Sequence, residues 1–365
     1  MSGTSMDAID AAVVRFDTEE LVLIEYDQYP IDESIRSPVR NLSAESDRTE
    51  IIEFDRLLGG LFADAVNSIV TKAQLPREDI VAIGSHGQTI IHLPHADLPR
   101  TVQIGDAHII ANNTGITTVA DFRRMDMEAG GQGAPLAPAL HADLFRSDTV
   151  NRCILNLGGI ANITILPADQ HAVVTGFDTG PANCLLDDWN RLHNNTQMDV
   201  DSNWARQGTP DCDLLARLLD DPYFKKTVPK STGRDDFNLH WLKRNINALN
   251  KSITPVDVQA TLLMLTITSI INAIYSQPLA INELYLCGGG SHNAALVNGL
   301  TDQLPALHIA STAKLGMNPD AVEAVTFAWL AKRRLEGKPG NLPSVTGAKE
   351  PVLLGTIFKP GIKGT

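Results

Sequence analysis

Three glycine-bearing turns lie next to apolar, strand-like stretches of this chain, and their residue types are those that bind phosphate. The turns contain Ser2-Gly3-Thr4-Ser5-Met6-Asp7, then Gly158 and Gly159, then Gly288, Gly289, Gly290 and Asn293. Glycine lets backbone N–H groups approach an anion closely, and a helix that begins at the turn adds its positive end. A single such turn usually only redirects the chain. Three of them, spread over both halves of the chain, favour a divided nucleotide site followed by helices.

Asp178 is the strongest catalytic candidate among the acidic residues. It follows the apolar run Val173 to Phe177 and precedes Thr179-Gly180-Pro181, so the sequence predicts a carboxylate at a strand-to-helix turn. In a doubly wound sheet, ligands collect at the carboxyl ends of strands, where an acid can orient a nucleophile or accept its proton. The alternative is a helix N-cap, a position that aspartate favours.

Two other acids each allow two interpretations. Asp7 could hold Mg²⁺ through water and neutralise phosphate charge, or it could cap the segment that follows. Glu323 lies in the first turn of a predicted helix over 320–335, on a stretch that is otherwise apolar through Val322, Val325, Phe327 and Trp329. It is therefore either a solvated flank of that helix or a cleft residue.

Three polar segments after apolar runs predict a hydroxyl-rich ligand such as a sugar. Their candidate binding residues are His86, Gln88, Gln103, Asp106, Asp121, Arg123 and Arg124. The two arginines could hold a carboxylate by paired N–H bonds, although arginines near a domain junction more often form structural ion pairs. The histidines have no H-E-x-x-H spacing, which argues against a zinc ion.

Length and composition narrow the class of protein. A chain of 365 residues is long enough for two domains, and its net charge of −13 disfavours a nucleic-acid partner. No apolar run approaches the roughly 20 residues of a membrane helix, and no secretory signal pattern is present, so we expect a cytoplasmic protein. The cysteines lack C-x-x-C spacing and are expected to be buried: Cys153, Cys184, Cys212 and Cys287.

Hydrophobic periodicity predicts an α/β chain with a weak internal duplication. The first half shows a hairpin (9–16 and 21–26), a helix (50–73) and a strand (80–83); the second shows a hairpin (153–157 and 162–166), a strand (172–177) and a helix (182–192). Further predicted elements are helices 256–276 and 320–335 and strands 283–287 and 352–354. One α/β unit used twice gives this pattern, and we place the domains at 1–130 and 131–365.

Seven motifs carry a resemblance to a known family. They are Ser2 to Asp7, Ser85-His86-Gly87-Gln88-Thr89, Gln103-Ile104-Gly105-Asp106, Ala120-Asp121-Phe122-Arg123, Asn156 to Asn162, Gly176 to Pro181, and Cys287 to Asn293. Together they closely resemble anhydro-N-acetylmuramic acid kinases, over nearly the whole chain. The resemblance implies an actin-like ATPase fold, in which two ribonuclease-H-like domains flank an interdomain nucleotide cleft.

The resemblance also implies a reaction, cofactors and partners. A homodimeric enzyme of peptidoglycan recycling would convert 1,6-anhydro-N-acetylmuramic acid, ATP and water into N-acetylmuramic acid 6-phosphate and ADP, with Mg²⁺. O6 of this sugar is tied to C1, so water must open the ring. Asp178 would then act as the base toward water, Glu323 would position the water or the sugar, and the glycine turns would bind ATP.

Two features depart from the family pattern, and two other functions fit the same fold. Family members carry several more residues before the first turn, which complete its strand, and a glycine at the position of Ala8. We therefore expect weaker support for the first phosphate turn. The alternative functions are a conventional sugar or acetate-type kinase acting on a free hydroxyl or carboxylate, and a non-catalytic, ATP-gated interaction module.

Overall fold

The computed structural model describes residues 1–3, 6–16, 21–94 and 96–361, and these form two compact α/β units. The first unit comprises Met1–Leu140 with Ala321–Thr365, and the second comprises His141–Asp320. This division differs from the predicted one because the C-terminal segment belongs to the first unit. There the helix Val322–Leu335 packs against the strands Ala8–Phe16 and Ile83–Gly84.

The bounds of the regular elements are as follows. The β-strands are β1 Ala8–Phe16, β2 Leu21–Pro30, β3 Ile83–Gly84, β4 Gln88–Leu93, β5 Arg100–Ile104, β6 Thr118–Ala120, β7 Arg152–Leu157, β8 Ile160–Leu166, β9 Thr175–Pro181, β10 Glu283–Cys287, β11 His308–Ser311 and β12 Thr356–Phe358. The α-helices are α1 Glu33–Asn41, α2 Arg48–Lys72, α3 Ala107–Thr114, α4 Arg124–Glu128, α5 Ala137–Phe145, α6 Asn183–Asn194, α7 Cys212–Leu219, α8 Leu239–Asn247, α9 Pro255–Tyr275, α10 Ala294–Gln303, α11 Val322–Leu335 and α12 Pro343–Thr346.

The second unit is built on one sheet with the strand order β11-β10-β7-β8-β9. β7, β8 and β9 form an antiparallel meander, whereas β10 and β11 run parallel to β7. This is the ribonuclease-H-like order, so the predicted α/β fold class is confirmed. The central strand β7 carries three consecutive residues that are 0% exposed, Cys153, Ile154 and Leu155, as expected for a strand covered on both faces.

Helix α9 is the long core helix of the second unit. By length and hydropathy alone it could cross a membrane, contrary to the expectation that no run is long enough. However, 67% of its apolar window is buried inside the protein. Its residues Ile267, Ile270 and Ile274 pack in the same hydrophobic cluster as the sheet residues Leu155 and Ile163. Burial in this cluster explains its apolar composition.

The first unit has β1 and β2 paired antiparallel, and β3 paired parallel to β6, which pairs in turn with β12. An apolar cavity of about 600 Å³ is lined by residues of β1, β3, α2 and α11. The first glycine turn is joined to β1 by an antiparallel bridge between Ser2 and Ile9. Whether this limited support weakens ATP binding stays a prediction.

A buried carboxylate ties the C-terminal segment to the first unit. Asp126 is 0% exposed and accepts hydrogen bonds from the Gly133 N–H (2.7 Å), Asn341 Nδ2 (2.7 Å) and Thr346 Oγ1 (2.7 Å). A buried carboxylate must have such partners, because leaving it without them would carry a large desolvation cost. The glycine-rich loop after α4 and the C-terminal segment around α12 therefore both bind the Asp126 carboxylate.

Several predicted elements differ from those observed. The strand predicted at 80–83 is confined to Ile83–Gly84, where the backbone pairs with Thr118 and Val119 of β6. The strand predicted at 352–354 is wrong, and β12 lies at Thr356–Phe358 instead, where it pairs with β6. Cys212 is exposed, unlike the other three cysteines, because it opens the short surface helix α7. The positions of short strands such as β3 and β12 depend on a pairing partner, β6, that is distant in the sequence.

Candidate active site

A row of polar side chains crosses the sheet of the second unit. Asp178 of β9 lies opposite Asn162 of β8, Asn162 lies opposite Asn156 of β7, and Asn156 lies opposite Cys287 of β10. Residues directly opposite each other in paired strands place their side chains on the same face of the sheet. Asp178, Asn162 and Asn156 are half-buried, whereas their neighbours along each strand are buried. One face of the sheet thus carries a partly accessible carboxylate beside two amides.

Asp178 lies inside strand β9, not at the strand-to-helix turn that the sequence predicts. The pairing of β8 with β9 shifts register between Ala161 and Asn162, so that Thr179 is the extra residue of a bulge. Bulges bend a strand and redirect its side chains, and they are frequent next to active sites. The N-cap alternative is excluded, because α6 begins at Asn183 and its N-cap position is Ala182.

Three groups from the loop that follows α7 hold Asp178. The Thr232 N–H donates to Oδ2 of its carboxylate (2.9 Å), and the Tyr223 hydroxyl donates to its backbone carbonyl (2.6 Å). Its own N–H donates to the Lys230 carbonyl (3.1 Å). Burial raises the pKa of Tyr223 and lowers that of Lys230. Sequence reasoning missed all three residues, because this loop has no periodicity to show which strand it contacts.

The second glycine turn, Gly158 and Gly159, connects β7 to β8 and so leads into a strand, not a helix. Its carbonyls accept hydrogen bonds from the start of α6: Asn183 N–H to Gly158 (3.2 Å), and Ala182 and Cys184 N–H to Gly159 (3.0 and 3.1 Å). The β-branched residues Ile160, Ile163 and Thr164 explain why a strand follows. The helix predicted after this turn is thus wrong, whereas the hairpin predicted at 153–157 and 162–166 is confirmed by the antiparallel pairing of β7 with β8. The carbonyl groups of the turn support the start of α6.

The third glycine turn has the predicted strand–turn–helix form, from β10 through a 3₁₀ turn at Gly289–His292 into α10. Gly288 has φ 77°, and a Cβ added there would lie 2.4 Å from Asn156 Oδ1. A Cβ at Gly290 would lie 2.7 Å from Leu157 Cβ, whereas one at Gly289 would have no neighbour within 4 Å among the described residues. The backbone therefore lies directly against the end of β7, and Gly289 has open space beside it.

Asn293 caps α10, so its side chain has a structural role. Its Oδ1 accepts from the N–H groups of Ala295 (3.1 Å) and Leu296 (3.3 Å), and its Nδ2 donates to Ser202 Oγ (2.8 Å). Capping of this kind satisfies N–H groups that a helix leaves unpaired at its first turn. Binding of a nucleotide by Asn293, which we predicted from its position, stays a prediction.

The first turn belongs to the first unit, and Thr4 and Ser5 of its motif lie outside the described residues. Ser2 is 2% exposed, and its Oγ has no hydrogen-bond partner among the residues that the structure describes. Met6 is 1% exposed and packs in the hydrophobic core, so only its backbone is left to contact a nucleotide, and its role in binding stays a prediction. A Cβ added at Gly3 would lie 4.0 Å from Glu323 Oε2, which places this exposed carboxylate beside the turn.

Asp7, the predicted magnesium ligand, is paired with arginine. Its Oδ1 lies 2.7 Å from Arg36 Nη1 and 3.6 Å from Arg40 Nη2, and its side chain is half exposed. Within the described part of the chain, no group of three His, Cys, Asp or Glu side chains is placed to hold a metal ion. A Mg²⁺ ion that keeps its waters and is held mainly by phosphate oxygens needs only one such carboxylate, so the residues fit an indirect role.

Five of the seven predicted sugar residues line one cavity of about 420 Å³ in the first unit: His86, Gln103, Asp106, Asp121 and Arg124. The other two predicted sugar residues, Gln88 and Arg123, do not line this cavity. Asp55, which sequence reasoning missed, also lines it and accepts from the Gly105 N–H (2.7 Å). Sequence pattern does not mark Asp55 as a binding residue, because it lies within the amphipathic helix α2, where an acidic residue is ordinary.

The acids of this cavity differ in what they can offer a ligand. Asp106 caps α3, accepting from the N–H groups of His108 (2.8 Å) and Ile109 (3.2 Å). Asp121 pairs with Arg124 and has φ 61°, a left-handed conformation that is uncommon outside glycine. Burial raises the pKa of both Asp55 and Asp121. Both carboxyl groups have oxygens that can accept hydrogen bonds from a hydroxyl-bearing ligand.

Arg123 is bound to His86, which fixes the tautomer of that histidine. Its Nε and Nη2 lie 3.1 and 2.8 Å from His86 Nε2, and its Nη1 donates to the Gly133 carbonyl (2.8 Å). Because Nε2 accepts from a guanidinium, the proton of the neutral ring is on Nδ1, which donates to the Gly87 carbonyl (2.9 Å). Burial, reinforced by the charge of Arg123, lowers the pKa of His86 well below its usual value.

The lowered pKa of His86 predicts that the first unit loses stability in mild acid. The unfolded chain binds a proton near pH 6.5 that the folded protein excludes, so stability falls as pH drops below that value. Relative to a His86→Gln variant, the wild-type protein should lose about 1.4 kcal/mol between pH 7.5 and 5.5. Urea unfolding at the two pH values measures this difference. Equal losses in both proteins would show that folding does not lower the pKa of His86.

A family model described as anhydro-N-acetylmuramic acid kinase matches residues 1–360. Curated relatives with this name are similar over almost their full length. The relative from Coxiella burnetii (strain RSA 493 / Nine Mile phase I) is 49% identical over 360 residues, which is 98% of this chain and 96% of the relative. The relative from Photobacterium profundum is 46% identical over 367 residues, or 98% of this chain and 97% of the relative.

Solved structures with similar folds are more distant in sequence. One is the PilM-PilN type IV pilus biogenesis complex, with TM-score 0.42 and 14% identity, covering 88% of this chain and 95% of that chain. Another is the activator of the 2-hydroxyisocaproyl-CoA dehydratase from Clostridium difficile with bound ADPNP, with TM-score 0.39 and 11% identity, covering 90% and 98%. Both scores are low, so the fold assignment rests on the strand order and the family match.

Proposed function

Because this chain belongs to the anhydro-N-acetylmuramic acid kinase family, we propose that it opens the sugar with water and delivers phosphate to O6. The chain is an ATP-using phosphotransferase by family membership. In the proposed reaction, a water oxygen bonds to C1 as the C1–O6 bond breaks. O6 takes the γ-phosphoryl group, and the bond from that phosphorus to ADP breaks. The products are N-acetylmuramic acid 6-phosphate, ADP and one proton.

Asp178 is the proposed base that takes the proton of the attacking water. The observation that carries this assignment is its placement: a half-buried carboxylate in a row of polar residues whose neighbours along each strand are buried, held at Oδ2 by the Thr232 N–H. A base acts only when it is held within hydrogen-bond reach of the proton that it removes. Asn156 and Asn162, its neighbours in the row, supply amide groups that can orient a polar ligand beside it.

ATP is assigned to the glycine turns, with different support for each. Gly289 has open space beside its Cα, which suits close approach of a nucleotide, and Ser2 Oγ is buried without a hydrogen-bond partner in the described part of the chain. Gly158 and Gly159 act by holding the start of α6. Mg²⁺ bound with ATP would neutralise phosphate charge, and Asp7 is the residue that would hold it through water.

The cavity lined by His86, Gln103, Asp106, Asp121 and Arg124 is the proposed sugar site. Support comes from its size and its hydrogen-bonding groups, since small-molecule sites are concave and carry a few well-placed polar groups. Arg123 contributes by fixing the His86 ring, and Gln88 by its position at the start of β4. Arg124 is the candidate that would bind a carboxylate of the substrate, and this contact would replace its ion pair with Asp121.

Isotope labelling tests the hydrolytic reaction directly. The protein is incubated with ATP, Mg²⁺ and the anhydro sugar in ¹⁸O water, and the product is identified by mass. We expect sugar phosphate that has gained one water, with the label at C1 and none in the phosphate. A product that gains phosphate without water would indicate a conventional kinase acting on a free hydroxyl. ATP binding without sugar-dependent turnover would indicate a non-catalytic module.

Replacing Glu323 by glutamine should slow turnover by at least about tenfold, because its carboxylate beside the first turn is proposed to position water or sugar. Steady-state rates in the Glu323→Gln variant measure the effect. Glu336→Gln at the other end of α11 is the matched control, since Glu336 pairs with Lys332 and Lys338 and has no proposed role in the reaction. An unchanged rate in Glu323→Gln would show that the Glu323 carboxylate does not position the water or the sugar.

We further propose that the enzyme is a cytoplasmic homodimer. Support comes from the family resemblance and from the composition of the chain. Light scattering of the purified protein gives the oligomeric state, with twice the 39.5 kDa chain mass expected. A single chain mass at micromolar concentration would overturn the dimer.

A further inference from the structure

The loop after α7 contacts Asp178 on both its backbone and its carboxylate. Tyr223 lies in a short 3₁₀ turn, Pro222–Lys225, and Lys230 and Thr232 lie in the irregular segment that follows it. We call Tyr223, Lys230 and Thr232 the Asp178 clamp. Its hydrogen bonds reach the carbonyl, the N–H and Oδ2 of Asp178, at 2.6, 3.1 and 2.9 Å.

The clamp is itself rigidly supported. The Tyr223 ring is 3% exposed and packs edge-on against the Phe237 ring at a centroid distance of 5.5 Å. Lys230 Nζ lies 4.7 Å from the Tyr223 ring centroid and donates to the carbonyls of Tyr223 (3.3 Å) and Phe224 (3.4 Å). Thr232 Oγ1 donates to Asp236 Oδ2 (2.7 Å). Each clamp residue is thus fixed by contacts other than those to Asp178.

The charge of the clamp acts on the same carboxylate. The negative charge of Asp178 favours the protonated form of Lys230, and by reciprocity the ammonium favours the ionised form of Asp178. The other charged or titratable groups of this loop are Lys226, which opposes the charge of Lys230, and Asp236 and Tyr223. Lys230 is therefore the positive group whose loss should change the proton affinity of Asp178.

We propose that Tyr223, Lys230 and Thr232 are positioning residues, which orient the Asp178 carboxylate and keep it ionised so that it can accept a proton. This inference rests on the proposed role of Asp178 as base. The clamp reaches Asp178 from a separate loop, so changes in that loop can adjust the base without altering the sheet. The Tyr223 hydroxyl and the Thr232 N–H set its geometry, and the Lys230 ammonium sets its charge state.

Kinetics of two clamp variants against pH test the proposal. In Lys230→Met, the acidic limb of the kcat profile should move up by about one pH unit, because the loss of a positive charge raises the pKa of a carboxylate. In Tyr223→Phe, kcat should fall about tenfold with KM unchanged, because the base is less well placed. Lys225→Met is the matched control, since Lys225 pairs with the exposed Asp220. Lys230→Arg, which keeps the charge, should leave the limb in place.

Carboxyl ¹³C NMR of Asp178 in Lys230→Met gives a readout that does not depend on turnover, and the titration midpoint should rise with the kinetic limb. Two results would overturn the proposed role of the clamp if Asp178→Asn is inactive. One is a Lys230→Met variant in which neither the titration midpoint of Asp178 nor the acidic limb of the kcat profile moves. The other is a Tyr223→Phe variant that keeps full kcat. Full activity in Asp178→Asn would instead overturn the role of Asp178 itself, so the two failures are distinguishable. Circular dichroism of each folded variant confirms that the measured protein is intact.

Discussion

An Asp178→Asn variant should fold normally and lose turnover with ATP and the anhydro sugar by at least about 10³-fold. Loss of a positioned general base costs about 10² to 10⁴ in rate, and water is too weak a nucleophile to open the ring without one. The amide can still accept from the Thr232 N–H through its oxygen, so the local hydrogen bonding at Oδ2 can persist. Steady-state kinetics, with thermal unfolding of the same sample, measure both parts of this expectation.

The matched control is Asp213→Asn, which also removes one carboxylate from the second unit. Asp213 is exposed and pairs with Lys251, and no part of the proposed reaction uses it. Its variant should keep normal turnover, because exposed ion pairs contribute little to stability. Near-normal turnover in Asp178→Asn would refute the assignment of Asp178 as base, and loss of folding in that variant would make its carboxylate a structural group.

A Gly288→Ala variant should be strongly destabilised and should lose ATP binding. Its φ of 77° and ψ of 167° lie in a region essentially confined to glycine and cost an alanine about 1 to 3 kcal/mol. The added Cβ would lie 2.4 Å from Asn156 Oδ1, an overpacking that typically costs a further 1 to 3 kcal/mol. The sum, about 2 to 6 kcal/mol, is a large part of the stability of an ordinary domain. Denaturant unfolding measures the loss, and nucleotide titration measures binding.

The neighbouring Gly289→Ala variant is the control for stability. A Cβ at Gly289 would have no neighbour within 4 Å among the described residues, so its unfolding free energy should change by less than about 1 kcal/mol. If the two variants were equally stable, the close contact of Gly288 with the end of β7 would not be important for folding. Weaker ATP binding in a stable Gly289→Ala protein would support nucleotide contact at this turn.

Local sequence pattern predicted the long elements well, because their own residues determine them. The period of apolar residues in α2 and α9, and the uninterrupted apolar run of β10, appear within the segments themselves. The helix N-caps Asp47 and Thr254 provide local start signals. The short strands β3 and β12 depend instead on pairing with β6, which is distant in sequence, so periodicity alone misplaced them.

The candidate site was predictable in composition but not in geometry. Asp178 was identified from its sequence context, yet its place inside β9 follows from a bulge opposite Ala161 and Asn162, which no local pattern reveals. Tyr223 and Lys230 were missed because their role depends on a loop returning to the sheet. Met6 was assigned to the nucleotide from its motif, although the structure buries it, because a motif does not show which way each side chain points.

The first unit is discontinuous in sequence, with His141–Asp320 inserted between its two parts. During synthesis, therefore, the whole second unit is translated before α11 and β12. At about 5 to 20 residues per second, those intervening residues take roughly 10 to 35 seconds to translate. During that interval β1 and β3 of the nascent first unit lack α11, the helix that packs against them. Asp126 likewise lacks Asn341 and Thr346, which donate hydrogen bonds to it in the folded protein.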